Sequence, residues 1–372
     1  MSILVTGGSG YVGTQLIAAL LRGGAGAGQQ PVRAQVRSAA RADGLRSAIR
    51  RGTVGGAGKE STAGRAGPEN TAGGAGPENT AGEAGPENTV GGAGKESRPG
   101  GAGLEVVTAD LMSDDGWKAA MAGVDEVYHV ASPIPAAQPK DPDELVVPAR
   151  EGTLRVLRAA RDAGVRRVVL TSSFAAIGYT PKPEAEFTED DWTDPDMPGL
   201  APYPRSKTIA ERTAWDFMSS EGGDTELTVV NPTFILGPPL TSETGSSLYL
   251  IKAMFNGTMS VAPRHRFGIV DVRDVADLHI RAMAAPAAAG KRFIGVSDHP
   301  AMSYLELAEI LRERFGPLAA KAPTEEAPGD ELPRQVIHND RAKEELGWRP
   351  RPVETTIVDT VENLRARGDL PG

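Results

Sequence analysis

The sequence predicts a doubly wound α/β fold, a parallel sheet with helices on both faces, completed by a smaller C-terminal substrate domain. Three observations carry this expectation. Short apolar runs alternate with helical patterns along the first 230 residues. The run Ile3-Leu4-Val5 passes through Thr6-Gly7-Gly8-Ser9-Gly10-Tyr11-Val12-Gly13 into the helix-forming stretch from Thr14 to Leu21. Finally, Val168-Val169-Leu170-Thr171-Ser172-Ser173 is a β-branched run ending in hydroxyls, as in a buried parallel strand that delivers its last residues to the ligand side of an open sheet.

Taken in order, residues 2–5 read as the first strand and 11–22 as the first helix. Strand 32–36 follows, and its alternation puts Arg33, Gln35 and Arg37 on one face. The pattern continues with strand 104–107, helix 114–122, strand 126–130, helix 143–163, strand 166–172, helix 203–219 and strand 225–230. Residues 1–230 therefore form the first domain. From residue 231 the periodicity is broken by Gly-Pro pairs, with helices near 246–256, 272–284 and 303–315. The segment 231–372 reads as the substrate domain, with about 271–290 returning to the first. The acidic stretch from Pro181 to Pro202 is either a loop over the substrate or a solvated loop.

Between the second and third strands lies a repeat of nine residues, Ala57 to Gly101, with units such as AGPENTAGG and AGPENTAGE. Small and polar residues with Gly and Pro cannot bury enough surface to offset the entropy of ordering, and the unit has no apolar face to stack on its neighbour. It reads as a disordered insertion spanning about 51–103.

Composition narrows the function. A net charge of −9 argues against a nucleic-acid surface. The absence of cysteine removes disulfides and thiolate ligands, and His129, His265, His279, His299 and His338 show no metal-binding spacing. No run of about 18 apolar residues crosses a membrane, and a strand starting at Ser2 leaves no room for a signal peptide. A cytoplasmic protein acting on a small molecule, without metal, nucleic acid or membrane, is expected.

The glycine turn supplies the first chemistry. Glycines spaced G-x-x-G-x-x-G at Gly7, Gly10 and Gly13 allow a tight turn and close approach to a pyrophosphate at a helix N-terminus, where Tyr11 and Val12 begin the helix. Tyr203 and Lys207 stand four apart on a helix, so the ammonium is expected near the phenol, favouring its ionised form. No acidic residue ends the second strand to bind a ribose diol. Arg37, with Arg41 nearby, suits a 2′-phosphate instead, which favours NADP(H) over the alternative NAD(H).

With these motifs the chain resembles an extended short-chain dehydrogenase/reductase of the NAD(P)-dependent epimerase/dehydratase superfamily. The branch is that of dihydroflavonol reductases, cinnamoyl-CoA reductases and microbial aldehyde or ketone reductases. The likeness runs through Val32–Arg37, Thr108-Ala109-Asp110-Leu111, His129-Val130-Ala131-Ser132-Pro133, the serine strand, Tyr203 to Lys207, Asn231-Pro232-Thr233 with Gly237-Pro238, and Val270 to Ala276. It implies a Rossmann fold and hydride transfer between a nicotinamide cofactor and a carbonyl or alcohol, in a monomer or homodimer. It implies a Ser-Tyr-Lys triad in which Tyr203 gives a proton, Ser173 bonds the same oxygen and Lys207 holds the ribose. Matching Ser-x-x-x-x-Gly at Ser173 to Gly178 selects Ser173 over Ser172. The resemblance also implies that Asp110 and Leu111 flank the adenine, and that Val130, Ala131, Ser132, Pro232 and Thr233 line the cofactor cleft.

Two departures narrow the branch. Ala201-Pro202-Tyr203-Pro204 replaces the Asn-Trp-Tyr-Cys-Tyr signature of cinnamoyl-CoA reductases, which counts against thioester chemistry. Gly178 stands where dihydroflavonol reductases place a substrate-contacting Asn. An NADPH-dependent reductase of an aldehyde or ketone, or the reverse oxidation, is the preferred reading. A nucleotide-sugar epimerase or dehydratase with bound NAD, and a non-catalytic NADP-binding sensor, stay open as alternatives.

Overall fold

A computed structural model describes residues 2–23, 30–54, 103–133, 139, 141–241, 246–329 and 333–370. The first half runs β1 (Ile3–Thr6), α1 (Tyr11–Leu21), β2 (Val32–Val36), α2 (Ala39–Val54), β3 (Leu104–Thr108), α3 (Trp117–Met121), β4 (Glu126–His129), α4 (Asp143–Asp162) and β5 (Arg167–Thr171). It continues through β6 (Glu186–Phe187), α5 (Pro202–Ser220), β7 (Glu226–Pro232), β8 (Phe234–Leu236), α6 (Ser246–Asn256), β9 (Arg266–Phe267), β10 (Ile269–Asp271) and α7 (Val272–Ala284). The last elements are β11 (Arg292–Gly295), β12 (Met302–Ser303), α8 (Tyr304–Phe315), β13 (Val336–Ile337), α9 (Asp340–Leu346) and α10 (Val353–Ala366).

Seven strands make one sheet in the order β11-β7-β5-β4-β1-β2-β3, every pair parallel. This is the Rossmann arrangement that the sequence predicts. The strand order reverses between β1 and β4, and the crevice at the carboxyl ends on such a reversal is the place where these sheets bind ligands.

Period-two alternation builds the two faces. Ile3 and Val5 of β1 pack with Leu16 and Ile17 of α1, Leu45 and Ile49 of α2, and Val275 and Leu278 of α7. Leu4 points the other way, into Trp117 of α3, Val156 and Leu157 of α4 and Phe217 of α5. Leu4 is fully buried, so truncating it to Ala would cost about 2–5 kcal/mol and loosen the strand beneath the site. A separate core joins Leu248, Ile251 and Phe255 of α6 with Leu307 and Leu311 of α8 and Ile357 and Val361 of α10.

Three differences from the sequence reading stand out. Helix α2 occupies residues 39–54, so the expected boundary of the insertion at about 51 falls inside a helix. The repeat, Ala57 to Gly101, lies outside the described residues. The return to the first domain also reaches past 290: β11 completes the main sheet beside β7, and Ala342, Leu346 and Trp348 of the α9 region join the core under α1 and α7. The acidic stretch is fastened: β6 pairs with β13, and Arg292 donates to the Glu189 and Asp191 carbonyls at 2.8 and 2.7 Å.

Candidate active site

At the carboxyl end of β1 the glycine turn is packed too closely for side chains. Gly7 has φ +65°, and a Cβ there would lie 2.9 Å from the Ala131 Cα; one on Gly13 would lie 2.3 Å from the Gly7 carbonyl oxygen. Gln35 holds the turn from β2, accepting from the Gly7 N–H at 2.9 Å and donating to the Ala109 carbonyl. Gly10 caps α1 without a side-chain hydrogen bond, and the first turn holds no acidic residue. Its N–H groups, those of Tyr11 and Val12 among them, have no intrahelical acceptors, and the positive helix end is not neutralised locally. That arrangement fits a pyrophosphate. The Tyr11 hydroxyl donates to the Gly237 carbonyl at 2.7 Å, and Val12 packs between the two large cores, so both face the turn only through their backbone.

Helix α5 begins with Pro202 at its first position and Pro204 in its first turn, where a missing N–H breaks no helical bond. Tyr203 and Lys207 follow one turn apart, with the ammonium 6.0 Å from the phenol ring centre. Ser173, extended at φ −160°, caps the short turn Phe174–Ala176 by accepting from the Ala175 N–H at 3.1 Å. Its hydroxyl lies 3.5 Å from that of Tyr203, a spacing at which both can reach one oxygen between them. The Ser172 hydroxyl instead donates to Glu211 at 2.5 Å, which takes it out of the crevice. A Cβ on Gly178 would sit 2.2 Å from the Phe174 ring, so that ring fills the space a longer residue would need.

Lys207 donates to the Ser132 hydroxyl at 2.9 Å, which joins α5 to the end of β4. Val130 is half-buried against the α1 face of the sheet, and Ala131 lies on Gly7 with its N–H given to Thr6 Oγ1 at 3.1 Å. Burial pulls the Lys207 ammonium down to about 8, while the Glu211 charge opposes that shift. Burial also raises the Tyr203 phenol above its usual value, with the Ser173 hydrogen bond acting the other way. The expected lowering of Tyr203 by Lys207 is therefore reversed: desolvation of the phenolate outweighs a cation one turn away, and the phenol holds its proton at neutral pH. His129 is pulled down to about 3 by burial and by Lys207, and stays neutral.

On the other side of the turn, Arg37 is exposed just beyond β2, and its guanidinium has no ion-pair partner among the described residues. Arg33 is engaged elsewhere, with Glu105 at 2.9 Å and the Ala120 and Ala122 carbonyls. Asp110 accepts from the Met112 N–H at 2.9 Å, and Leu111 packs over Gly152. Both follow β3, whose end is tied to β2 by the Ala109 N–H on the Val36 carbonyl. At the far end Pro232 pairs with Gly295, and Thr233 gives both its N–H and its hydroxyl to the Gly295 carbonyl, so that hydroxyl serves the β7–β11 junction.

The sequence reading missed Gln35 as the brace of the turn, and it missed Glu211, Asn231 and Arg292, which form a buried cluster behind the serines. It also missed a ring of aromatic side chains. Tyr179 lies 6.4 Å from His265, which lies 6.4 Å from Tyr304, and Tyr304 packs on Phe267 at 4.8 Å. Tyr179 is raised to about 12 by partial burial, then by Tyr203 and Tyr304. None of these contacts has a local sequence signal.

Residues 3–294 match the model of the NAD dependent epimerase/dehydratase family. The chain belongs to that family. Among curated relatives, cinnamoyl-CoA reductase 1 of Arabidopsis thaliana is 35% identical over 268 residues, covering 70% of this chain and 74% of the relative. Tetraketide alpha-pyrone reductase 2 of the same plant is 33% identical over 254 residues, covering 66% of this chain and 76% of the relative. In structure, the chain is similar over its whole length to yeast methylglyoxal/isovaleraldehyde reductase Gre2 complexed with NADPH, at a TM-score of 0.73 and 23% identity, with 100% of each chain covered. Vestitone reductase from alfalfa superposes with a TM-score of 0.70 at 20% identity, covering 99% of each chain. These superpositions establish the shared fold.

Proposed function

We propose that this member of the family is an NADPH-dependent reductase of an aldehyde or ketone. The observation that carries the reading is the meeting of the Ser173 and Tyr203 hydroxyls, with Lys207 one turn behind, at the crevice where the strand order reverses. The family relatives named as reductases support the same reaction class.

The crevice fits the cofactor. The uncapped first turn of α1 would hold the pyrophosphate, Lys207 the ribose hydroxyls, and exposed Arg37 the 2′-phosphate through a bidentate guanidinium contact. When bound, the reduced nicotinamide supplies the hydride equivalent that the carbonyl carbon accepts. The chain's own part is to manage the oxygen. Ser173 donates a hydrogen bond to it, and Tyr203, kept protonated by burial, delivers the proton that completes the alcohol. Lys207 keeps a positive charge one turn away, which eases the loss of that proton.

Ala201-Pro202-Tyr203-Pro204 supports a simple carbonyl over a coenzyme A thioester. The test is loss of the NADPH absorbance band with aldehydes, 1,2-diketones, β-keto esters and cinnamoyl-CoA as substrates. Turnover of a free carbonyl is expected. Turnover of cinnamoyl-CoA alone would move the assignment to thioester reduction, and purification with tightly held NAD and no turnover would favour epimerase chemistry.

A further inference from the structure

A carboxylate stands directly behind the two hydroxyls. Glu211 is 1% exposed and lies four residues after Lys207 on α5. Its Oε2 accepts from the Ser172 hydroxyl at 2.5 Å and from the Asn231 amide at 2.7 Å. Its Oε1 accepts from Arg292 Nε at 2.6 Å and from the Trp215 indole at 3.4 Å. The same Asn231 nitrogen reaches the Ser173 carbonyl at 3.2 Å. One carboxylate thus grips the neighbour of Ser173 through its side chain, and Ser173 itself through Asn231. Arg292 carries the contact onward to β11 and to the Glu189 and Asp191 carbonyls, stacked 3.8 Å over Trp192.

Stability alone gives little reason for such a cluster. A buried ion pair gains little over well-packed apolar residues of the same volume, because desolvation offsets the attraction. What it adds is fixed relative geometry, since each donor and acceptor accepts a narrow range of angles. The elements fixed here are the two that carry the hydroxyls: the end of β5 and helix α5.

We infer that Glu211 is a positioning residue for this site, holding the Ser173 end of β5 and the Lys207 turn of α5 in the one arrangement that lets both hydroxyls meet a single carbonyl oxygen. The inference rests on the reading of Ser173, Tyr203 and Lys207 given above. The groups that face Lys207 are the Ser132 hydroxyl, the Tyr203 phenol, neutral His129 and Glu211, so Glu211 is the anion that supports its charge.

The test is Glu211→Gln. The amide presents N–H where Ser172 and Asn231 now donate. The Asn231 Oδ1, which has no partner, then turns to accept it, and the Asn231 nitrogen leaves the Ser173 carbonyl. NADPH affinity is expected to stay within about twofold and kcat to fall about tenfold or more with little change in KM. In 13C-lysine NMR, with Lys207 assigned through Lys207→Arg, its titration is expected to move down by about one pH unit. An unchanged kcat and lysine titration in the folded variant would overturn the inference, and so would a loss of NADPH affinity matching the loss of kcat. Should Glu211→Gln fail to fold, Ser172→Ala removes one donor and no charge: a lowered kcat with Lys207 unmoved supports the role, and an unchanged kcat refutes it. If the wild-type protein reduces no carbonyl, the functional reading fails by itself, while the lysine titration still tests the hold of Glu211 on Lys207.

Discussion

Tyr203 and Arg37 make the reductase reading testable residue by residue, because each is assigned one separate step. Tyr203→Phe removes the phenol and almost no volume, so NADPH affinity is expected to persist while kcat falls by about 10²-fold or more. Single-turnover kinetics and a cofactor titration measure the two separately, and retention of more than about a tenth of wild-type kcat would place the proton donor elsewhere. Arg37 is exposed and makes no ion pair among the described residues, so Arg37→Asp should leave folding intact. It replaces attraction for a 2′-phosphate with repulsion and offers a ribose diol an acceptor. The ratio of kcat/KM for NADPH over NADH is expected to fall by about tenfold or more, and an unchanged ratio would mean that Arg37 does not meet the phosphate. Both residues were readable in the sequence, since Tyr203 and Lys207 are one helical turn apart and Arg37 directly follows a strand. Glu211 was not, because its partners at 172, 231 and 292 meet only after three strands and a helix have assembled. The sign of the Tyr203 shift was equally hidden, since burial is a property of the packed crevice.

Elements are fastened by two buried histidines, and burial of both makes the fold sensitive to acid. His129 ends β4 and meets Thr6 of β1 at 2.9 Å. His279 on α7 meets Thr171 of β5 at 2.7 Å, and its Nδ1 donates to the Val275 carbonyl, so the neutral ring accepts from Thr171 through Nε2. Burial lowers them to about 3 and about 4, from 6.5. The unfolded chain therefore binds more protons below pH 6.5, and stability falls as the pH drops through that value toward 4. Asp274 opposes this: burial raises it from 3.8 to about 6, so the folded chain binds its proton first and gains stability between those values. Two histidines against one carboxyl leave a net loss of stability as the pH falls below 6. The denaturant midpoint is expected to fall as the pH drops from 7 to 5, and His129→Asn is expected to lessen that fall. An unaltered fall would mean that another group governs acid unfolding. The same elements mark what sequence patterns carry. β1, through Ile3-Leu4-Val5, and β5, through Val168-Val169-Leu170, hold continuous apolar runs and were legible. Helix α2 was not, because Arg41, Arg46, Arg50 and Arg51 crowd a stretch whose buried face, among the described side chains, is Ala42, Leu45, Ala48 and Ile49. Strand β11 was hidden because only Phe293 and Ile294 are apolar there, between Arg292 and Gly295.

Across the whole molecule, the chain leaves the main sheet after α2 and rejoins it at β3, and the two ends of that excursion are held by pairs that do not involve the repeat. β2 and β3 are in register from Val32 with Leu104 to Val36 with Thr108, and the Val32 N–H donates to the Gly103 carbonyl. α2 packs onto the same sheet face through Leu45 and Ile49. Both contacts lie on the β2–β3 side, whereas Ser173 and Tyr203 stand beyond β4, at the ends of β5 and α5. The repeat itself offers almost no apolar side chain for burial, so removing it withdraws no core. Replacing residues 55–102 with a short Gly-Ser link, while keeping α2 whole, shortens the closed loop and reduces its entropy. By the logarithmic dependence of closure entropy on length, a roughly tenfold shorter link should raise stability by about 2 kcal/mol, with kcat and KM within about twofold of the parent. Steady-state kinetics and denaturant unfolding of the two proteins measure this. A deletion variant that unfolds, or that loses most of its kcat while still binding NADPH, would show that the repeat contacts the working site and that the spatial separation of the two ends of the sheet does not uncouple them.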